Sequence, residues 1–227
     1  MNTMTKAPAH RSTSSKKGQK PPSSDRKDAR RDLIIARSAD LFAVDAYENV
    51  SIRAIERATG LTRGAIYYYF EGKEDIYCAT VLDGLRRVRD MIGHAMRRAP
   101  TTPRGQLMAF VDAYIDHFET ERPVFNNLLR FFFGMRPSVN LSAELLAAAN
   151  TEIAKAVADV ESVIEAGVQG DDFDCPDPRF AVMTLWGFLV TTVQMDADNP
   201  RMAAVGRDSE SLRASMKRMS LTIVGAR

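Results

Sequence analysis

From about residue 26 onward, apolar residues recur three and four positions apart, the spacing that lines one face of a helix. Nowhere do apolar and polar residues alternate between turn signals as strands would, and no internal repeat appears. The pattern predicts an all-α chain. Ile34, Ser38, Leu41 and Phe42 mark a first helix over about 27–45, with two short ones at 51–58 and 62–69. Lys73 to Arg98 reads as a fourth, apolar at Ile76, Val81, Leu85, Val88 and Ile92 and punctuated by Pro100 and Pro103. Further helices are expected over about 104–120, 123–135, 142–168, 178–195 and 209–224, separated by Pro123, Pro137, the Gly167/Gly170 pair and the acidic turn from Asp171 to Pro178. The 178–195 segment, PRFAVMTLWGFLVTTVQM, is apolar on nearly every side. Such a helix must be buried all round, and a second subunit can supply part of that cover.

Charge divides the chain unevenly. Residues 1–31 hold nine Lys/Arg against two Asp, a local +7 in a chain of net +2, which leaves −5 for the rest. Residues 1–25 are rich in Ser, Thr, Pro and Lys with almost no large apolar side chain, so a disordered basic tail is expected there. Such a tail adds sequence-independent, salt-sensitive attraction to phosphates. With 45% hydrophobic residues over 227 positions, the remainder can bury a sizeable core. No run of eighteen apolar residues and no signal-peptide core is present, and Cys78 and Cys175 lie far apart, so a cytoplasmic chain without membrane span or disulfide is the expectation.

The richest stretch is Ser51 to Lys73, SIRAIERATGLTRGAIYYYFEGK. Ser51 precedes Ile52, Ile55 and Ala58, one apolar face, and can cap that helix by accepting a backbone N–H. Gly60 follows where a left-handed helix end favours glycine. Thr62 then caps a second helix, whose inward residues are Ala65, Ile66, Tyr69 and Phe70. Two helices joined by a tight turn of this kind make a helix-turn-helix. Arg63, Gly64, Tyr67 and Tyr68 are left over on the second helix, whose N-terminal residues reach base edges when such a motif docks in the major groove. Arg pairs well with guanine, and Tyr donates to phosphate. A glycine there costs roughly 1 kcal/mol of helix stability relative to Ala, which suggests that a phosphate or base edge must come close. Lys73 opens the next helix, whose N-terminus favours an anion.

The run from Ile34 to Ile76 resembles the DNA-binding domain of the TetR family of transcriptional regulators. Leu41-Phe42, Tyr47, Ser51-Ile52, Ile55, the 58–62 ATGLT segment, Gly64-Ala65-Ile66-Tyr67, Tyr69-Phe70 and Lys73-Glu74 carry the resemblance, without gaps over about forty residues. Ala46 departs from it, standing where the family usually has glycine, so the usual left-handed end of the first helix is in question. The resemblance implies a DNA-binding domain over 26–73 and a larger helical effector-binding and dimerisation domain over 74–227. It implies double-stranded operator DNA as a partner, and a homodimer through the helices near 178–195 and 209–224. It also implies repression relieved by a small molecule, coupled to the head through the fourth helix. The candidate DNA-binding residues are Ser51, Arg53, Thr62, Arg63, Gly64, Ala65, Tyr67, Tyr68 and Lys73.

Large apolar residues gather in the middle of the chain. The simplest reading is core; the functional one is a pocket between helices for a largely apolar effector, touching some of Phe110, Tyr114, Phe125, Leu129 and Trp186. An enzyme is not expected, since the chain has no Gly-rich phosphate loop, Gly-x-Ser-x-Gly elbow or Cys-x-x-Cys. No metal or cofactor is expected either: Asp116, His117, Glu119 and Glu121 read as a solvated helix end rather than a ligand set, because His117 pairs at helical spacing only with Glu121. The competing reading is a helical adaptor that uses the helix-turn-helix for protein contacts, and salt dependence of DNA binding separates the two.

Overall fold

The computed structural model describes residues 24–133, 143–194 and 209–227. Residues 1–23 of the expected basic tail and the residues Met135, Pro137 and Met195 lie outside them, while Ser24 and Asp25, also expected in the tail, open the first helix. Among the described residues the chain forms nine α-helices: α1 Ser24–Val44, α2 Ile52–Thr59, α3 Arg63–Tyr67, α4 Lys73–Arg98, α5 Pro103–Thr120, α6 Arg122–Phe133, α7 Ala143–Gln169, α8 Pro178–Gln194 and α9 Ser209–Ile223. A 3-10 turn at Tyr47–Asn49 links α1 to α2. The nearest approach to a strand is a single bridge between Phe173 and Ala226.

The first three helices close around Ile34, Phe42, Ile55, Ile66 and Phe70, all fully or almost fully buried, and form a small head. α4 extends this head into the body. Its first turns bury Ile76 and Tyr77 against α1, and Tyr77 packs edge-on to Phe42 at 5.1 Å. Its later turns bury Leu85, Val88 and Ile92 among α5, α6 and α7. At 26 residues, α4 runs about 39 Å. The expected domain division after Lys73 therefore falls one residue into α4. α6 lies close against α4 where Gly84 leaves room: a Cβ there would sit 3.2 Å from both Val124 and Leu128 side chains.

The end of α1 shows the consequence of Ala46. That residue is extended, with φ −61° and ψ 149°, so no left-handed residue closes the helix. The last carbonyls of a helix need partners from elsewhere. They find one in Arg130 of α6, whose guanidinium donates to the carbonyls of Phe42 (3.2 Å), Val44 (3.2 Å) and Asp45. One side chain of the body thereby caps the head's first helix, and its planar fork suits several acceptors at once.

In the single chain, Val182, Leu185 and Leu189 of α8 face the core, while Phe180 and Met183 are 69% and 60% exposed, as the expectation that a second subunit covers part of this helix allows. One expectation is corrected. His117 is not solvated. Asp116 and Glu119 do face outward and pair with Arg213 of α9 at 2.7 and 3.2 Å, but the imidazole between them is buried and its Nε2 has no hydrogen-bond partner among the described residues. Position 117 belongs to the apolar face of α5, beside Tyr114 and Phe118.

Replacing Arg130 with Ala is expected to cost about 2 kcal/mol, the scale of hydrogen bonds from a charged donor. That corresponds to a fall in Tm of roughly 4–8 °C in a chain of this size, only partly recovered by Lys. An unchanged Tm contradicts the capping role. Burial holds the His117 pKa below its ordinary value, with Glu121 opposing and Arg87 adding to the shift. The unfolded chain then binds the extra proton first, so stability is fully present above pH about 6.5 and declines as pH falls below it. Thermal melts at pH 7.5 and 5.5 should show this slope in the wild type and a flatter one in His117→Asn; equal slopes exclude His117 as a source.

Candidate nucleic-acid interface and buried cavity

Local hydrogen bonds fix the geometry of the α2–α3 pair. The Ser51 hydroxyl accepts from the Ala54 N–H at 3.2 Å, and Gly60 ends α2 at φ 70°. Thr59 donates its hydroxyl to the Ile55 carbonyl (2.8 Å) and accepts from the Leu61 N–H (3.2 Å), which binds the turn to the helix before it. The Thr62 hydroxyl caps α3 by accepting from Ala65 N–H at 3.3 Å. With both caps on sequence-local groups, the apolar side of α3 settles on the core through Ile66 and Phe70, and the opposite side is set in solvent.

That outer side holds the four residues expected there. Arg63 and Gly64 are exposed, and Tyr67 and Tyr68 are 42% and 62% exposed. The Arg63 guanidinium sits 5.5 Å over the Tyr67 ring and donates to its hydroxyl at 3.4 Å, an interaction that raises the Arg63 pKa. The two side chains form one cationic, planar unit on the rim of the helix. A Cβ placed on Gly64 meets no atom within 4 Å, so the protein's own packing does not call for glycine. Ser51 and Arg53 are also exposed, on α2, while Ala65 is half-buried on the inner shoulder of α3.

Behind the head, a cavity of about 350 Å³ opens inside the body. Leu85 and Val88 of α4 and Leu129 and Phe132 of α6 form part of its wall. Tyr114 of α5, Val157 of α7 and Trp186 of α8 complete much of the remainder. Apart from the carboxylate of Glu152, the residues lining it are uncharged. The Tyr114 hydroxyl is buried without a partner among the described residues, and that burial strongly raises its pKa. A Cβ on Gly187 would meet open space.

Residues 34–80 match the model of the bacterial regulatory proteins of the tetR family. The transcriptional repressor AcnR of Corynebacterium glutamicum is 32% identical over 62 residues, 27% of this chain and 33% of that protein. The AcnR of Corynebacterium diphtheriae is 30% identical over 63 residues, again 33% of its length. The matched segment thus spans about a third of these curated relatives. Over the whole fold, a tetR-family regulatory protein from Rhodococcus RHA1 superposes with a TM-score of 0.71 at 21% identity, covering 87% of this chain and 98% of the other. The regulator FadR from Bacillus subtilis, solved in complex with stearoyl-CoA, gives 0.66 at 18% identity over 86% and 98%. Residues 34–80, which include most of the head, are thus similar to the tetR-family domain.

Within this head, Lys73 departs from its expected setting. Its ammonium donates to the carbonyls of Tyr47 (2.8 Å) and Glu48 (3.4 Å) and lies 4.1 Å over the Tyr47 ring. It pins the α1–α2 turn to the start of α4 and must let go of that turn to reach a phosphate. Two contributors were missed instead. Lys27 of α1 sits 5.5 Å over the Tyr68 ring and Arg31 sits 5.2 Å over Phe70, so the first turns of α1 add cations beside the tetR-type α3. Their signal was present as a basic run, but only the fold places it against those rings. In the cavity, Tyr114, Phe125, Leu129 and Trp186 line the wall as expected, whereas Phe110 does not. It is fully buried behind them, its ring 6.3 Å from Tyr114 and 6.2 Å from Trp186.

Gly64→Ala should leave Tm unchanged or raise it, by up to about 1 kcal/mol of helix propensity, while weakening DNA binding. A loss of Tm contradicts the open space around Gly64. Arg63→Ala is expected to cost about 1–3 kcal/mol of preference for the cognate DNA. Lys73→Ala should lower Tm together with DNA affinity, whereas a change in affinity alone makes it a plain phosphate contact.

Proposed function

We propose that this chain is a sequence-specific DNA-binding repressor that releases its operator when a small, largely apolar effector fills the body cavity. The observation that carries the reading is the outer face of α3. Arg63, Gly64, Tyr67 and Tyr68 stand together on and just after a helix capped by Thr62, with a glycine that the fold itself does not need. Arg reads guanine, tyrosines bond phosphate, and the bare backbone at Gly64 admits close approach. Lys27, Arg31 and Arg53 extend the positive surface.

A homodimer is the natural way to use such a head. The outer faces of α8 and α9 carry the exposed apolar residues Phe180, Met183 and Met219, which a second copy would cover. Two-fold pairing there would present two α3 helices to successive major grooves, about 34–36 Å apart. The cavity supports the effector half of the proposal. It is walled by α4 and α6, and these same helices hold the head: α4 by continuity, α6 through Arg130. A ligand that fits the cavity better in the released conformation would favour that conformation and draw α4 and the head with it. FadR from Bacillus subtilis, a protein of this fold, was solved in complex with stearoyl-CoA, a ligand with a long acyl chain.

Fluorescence anisotropy on the DNA upstream of the protein's own gene, against a scrambled control at about 150 mM salt, tests the DNA reading. The expected result is nanomolar binding with a preference of about a thousandfold, weakening steeply as salt rises. Absence of binding even at low salt contradicts it and favours the adaptor. Equal, weak binding to both sequences contradicts specificity for that DNA.

A further inference from the structure

Glu152 of α7 is an anomaly in an otherwise uncharged wall. It is 9% exposed and lines the cavity. Its carboxylate pairs closely with Arg89 of α4, and at longer range with Arg86 (3.9 Å) and Lys155 (3.6 Å). Glu152 is among the residues lining the cavity, and none of those three cations is. The same cavity wall carries the aromatic residues Tyr114, Phe125, Phe132 and Trp186, and the faces of such rings attract cations.

We propose that the effector is a hydrophobic cation, a protonated amine or quaternary ammonium on an apolar body, whose charge replaces Arg89 on Glu152. This rests on the reading of the cavity as the effector site and specifies its ligand. The exchange is open to Arg89 because it already holds a second carboxylate: its Nε and Nη2 donate to Asp90 at 3.2 and 2.7 Å. Arg89 can leave Glu152 with its charge still paired. Arg86 and Lys155 are more than half exposed, so water screens their hold on Glu152 and they compete weakly. An anionic head, by contrast, would meet the carboxylate first. The exchange also has a mechanical result. The Arg89–Glu152 pair braces α4 to α7, and a ligand that takes Glu152 removes the brace from the helix that carries the head.

Trp186 is the sole tryptophan and lies in the cavity wall, so its fluorescence reports occupancy. Decyltrimethylammonium, decanol and decanoate share one apolar chain and differ in charge. Titration of the full-length protein is expected to show the cation binding about tenfold or more tightly than decanol, with decanoate weakest. Glu152→Gln should abolish the preference for the cation and leave decanol affinity nearly unchanged. Arg89→Gln should act in the opposite direction and tighten the cation, which a merely structural pair would not do; this arm decides the matter if Glu152→Gln fails to fold. Decanol or decanoate binding as tightly as the cation overturns the ligand class and leaves the cavity reading standing. A cation preference that survives Glu152→Gln overturns the role of Glu152. Failure of all three probes to bind overturns both the ligand class and the cavity reading.

Discussion

α4 is a single unbroken helix, and the head and the cavity are both built on it. Its first turn receives α1, its middle turns supply Leu85 and Val88 to the cavity wall, and it is long enough to belong to both regions at once. A helix of this kind transmits displacement because its backbone hydrogen bonds leave few soft torsions along its length. Two side chains tie the head to this beam and its neighbour. Lys73 fastens the 47–49 turn to the start of α4, and Arg130 fastens the end of α1 to α6. These bonds hold the head at both ends of the α1–α2 connection.

The elements that rest on neighbours in sequence were legible before any coordinates. Ser51, Gly60 and Thr62 cap and end helices with groups three or four residues away, so residue type and spacing were enough. The face of α3 followed from the same local period, since Ile66 and Phe70 had to turn inward and Arg63, Tyr67 and Tyr68 outward. Helix boundaries further along were also readable, because Pro and Gly punctuate them.

What depends on packing between distant segments was not legible. The bond from Arg130 to the end of α1 spans more than eighty residues, and nothing near either partner announces it. The departure at Ala46 was visible, but its remedy was not. Phe110 and Tyr114 have the same chemical character four residues apart, and only the fold decides that one lines the cavity and the other backs it. His117 reads as polar among polar neighbours until the packing of α5 turns it inward. Glu152 hid for the same reason: an isolated Glu on a helix is ordinarily solvated, and its burial comes from α4.

The central claim is that the state of the cavity reaches the head through α4 and α6. Hydrogen exchange followed by mass spectrometry tests it most directly, with the cavity empty and then saturated by whichever decyl probe binds best. The account predicts changed protection in peptides covering 42–49 and 60–73 as well as in the cavity walls, because the α1 end and the start of α4 are fastened to the helices that line the cavity. Protection that changes only in the walls, with the head untouched, would contradict it.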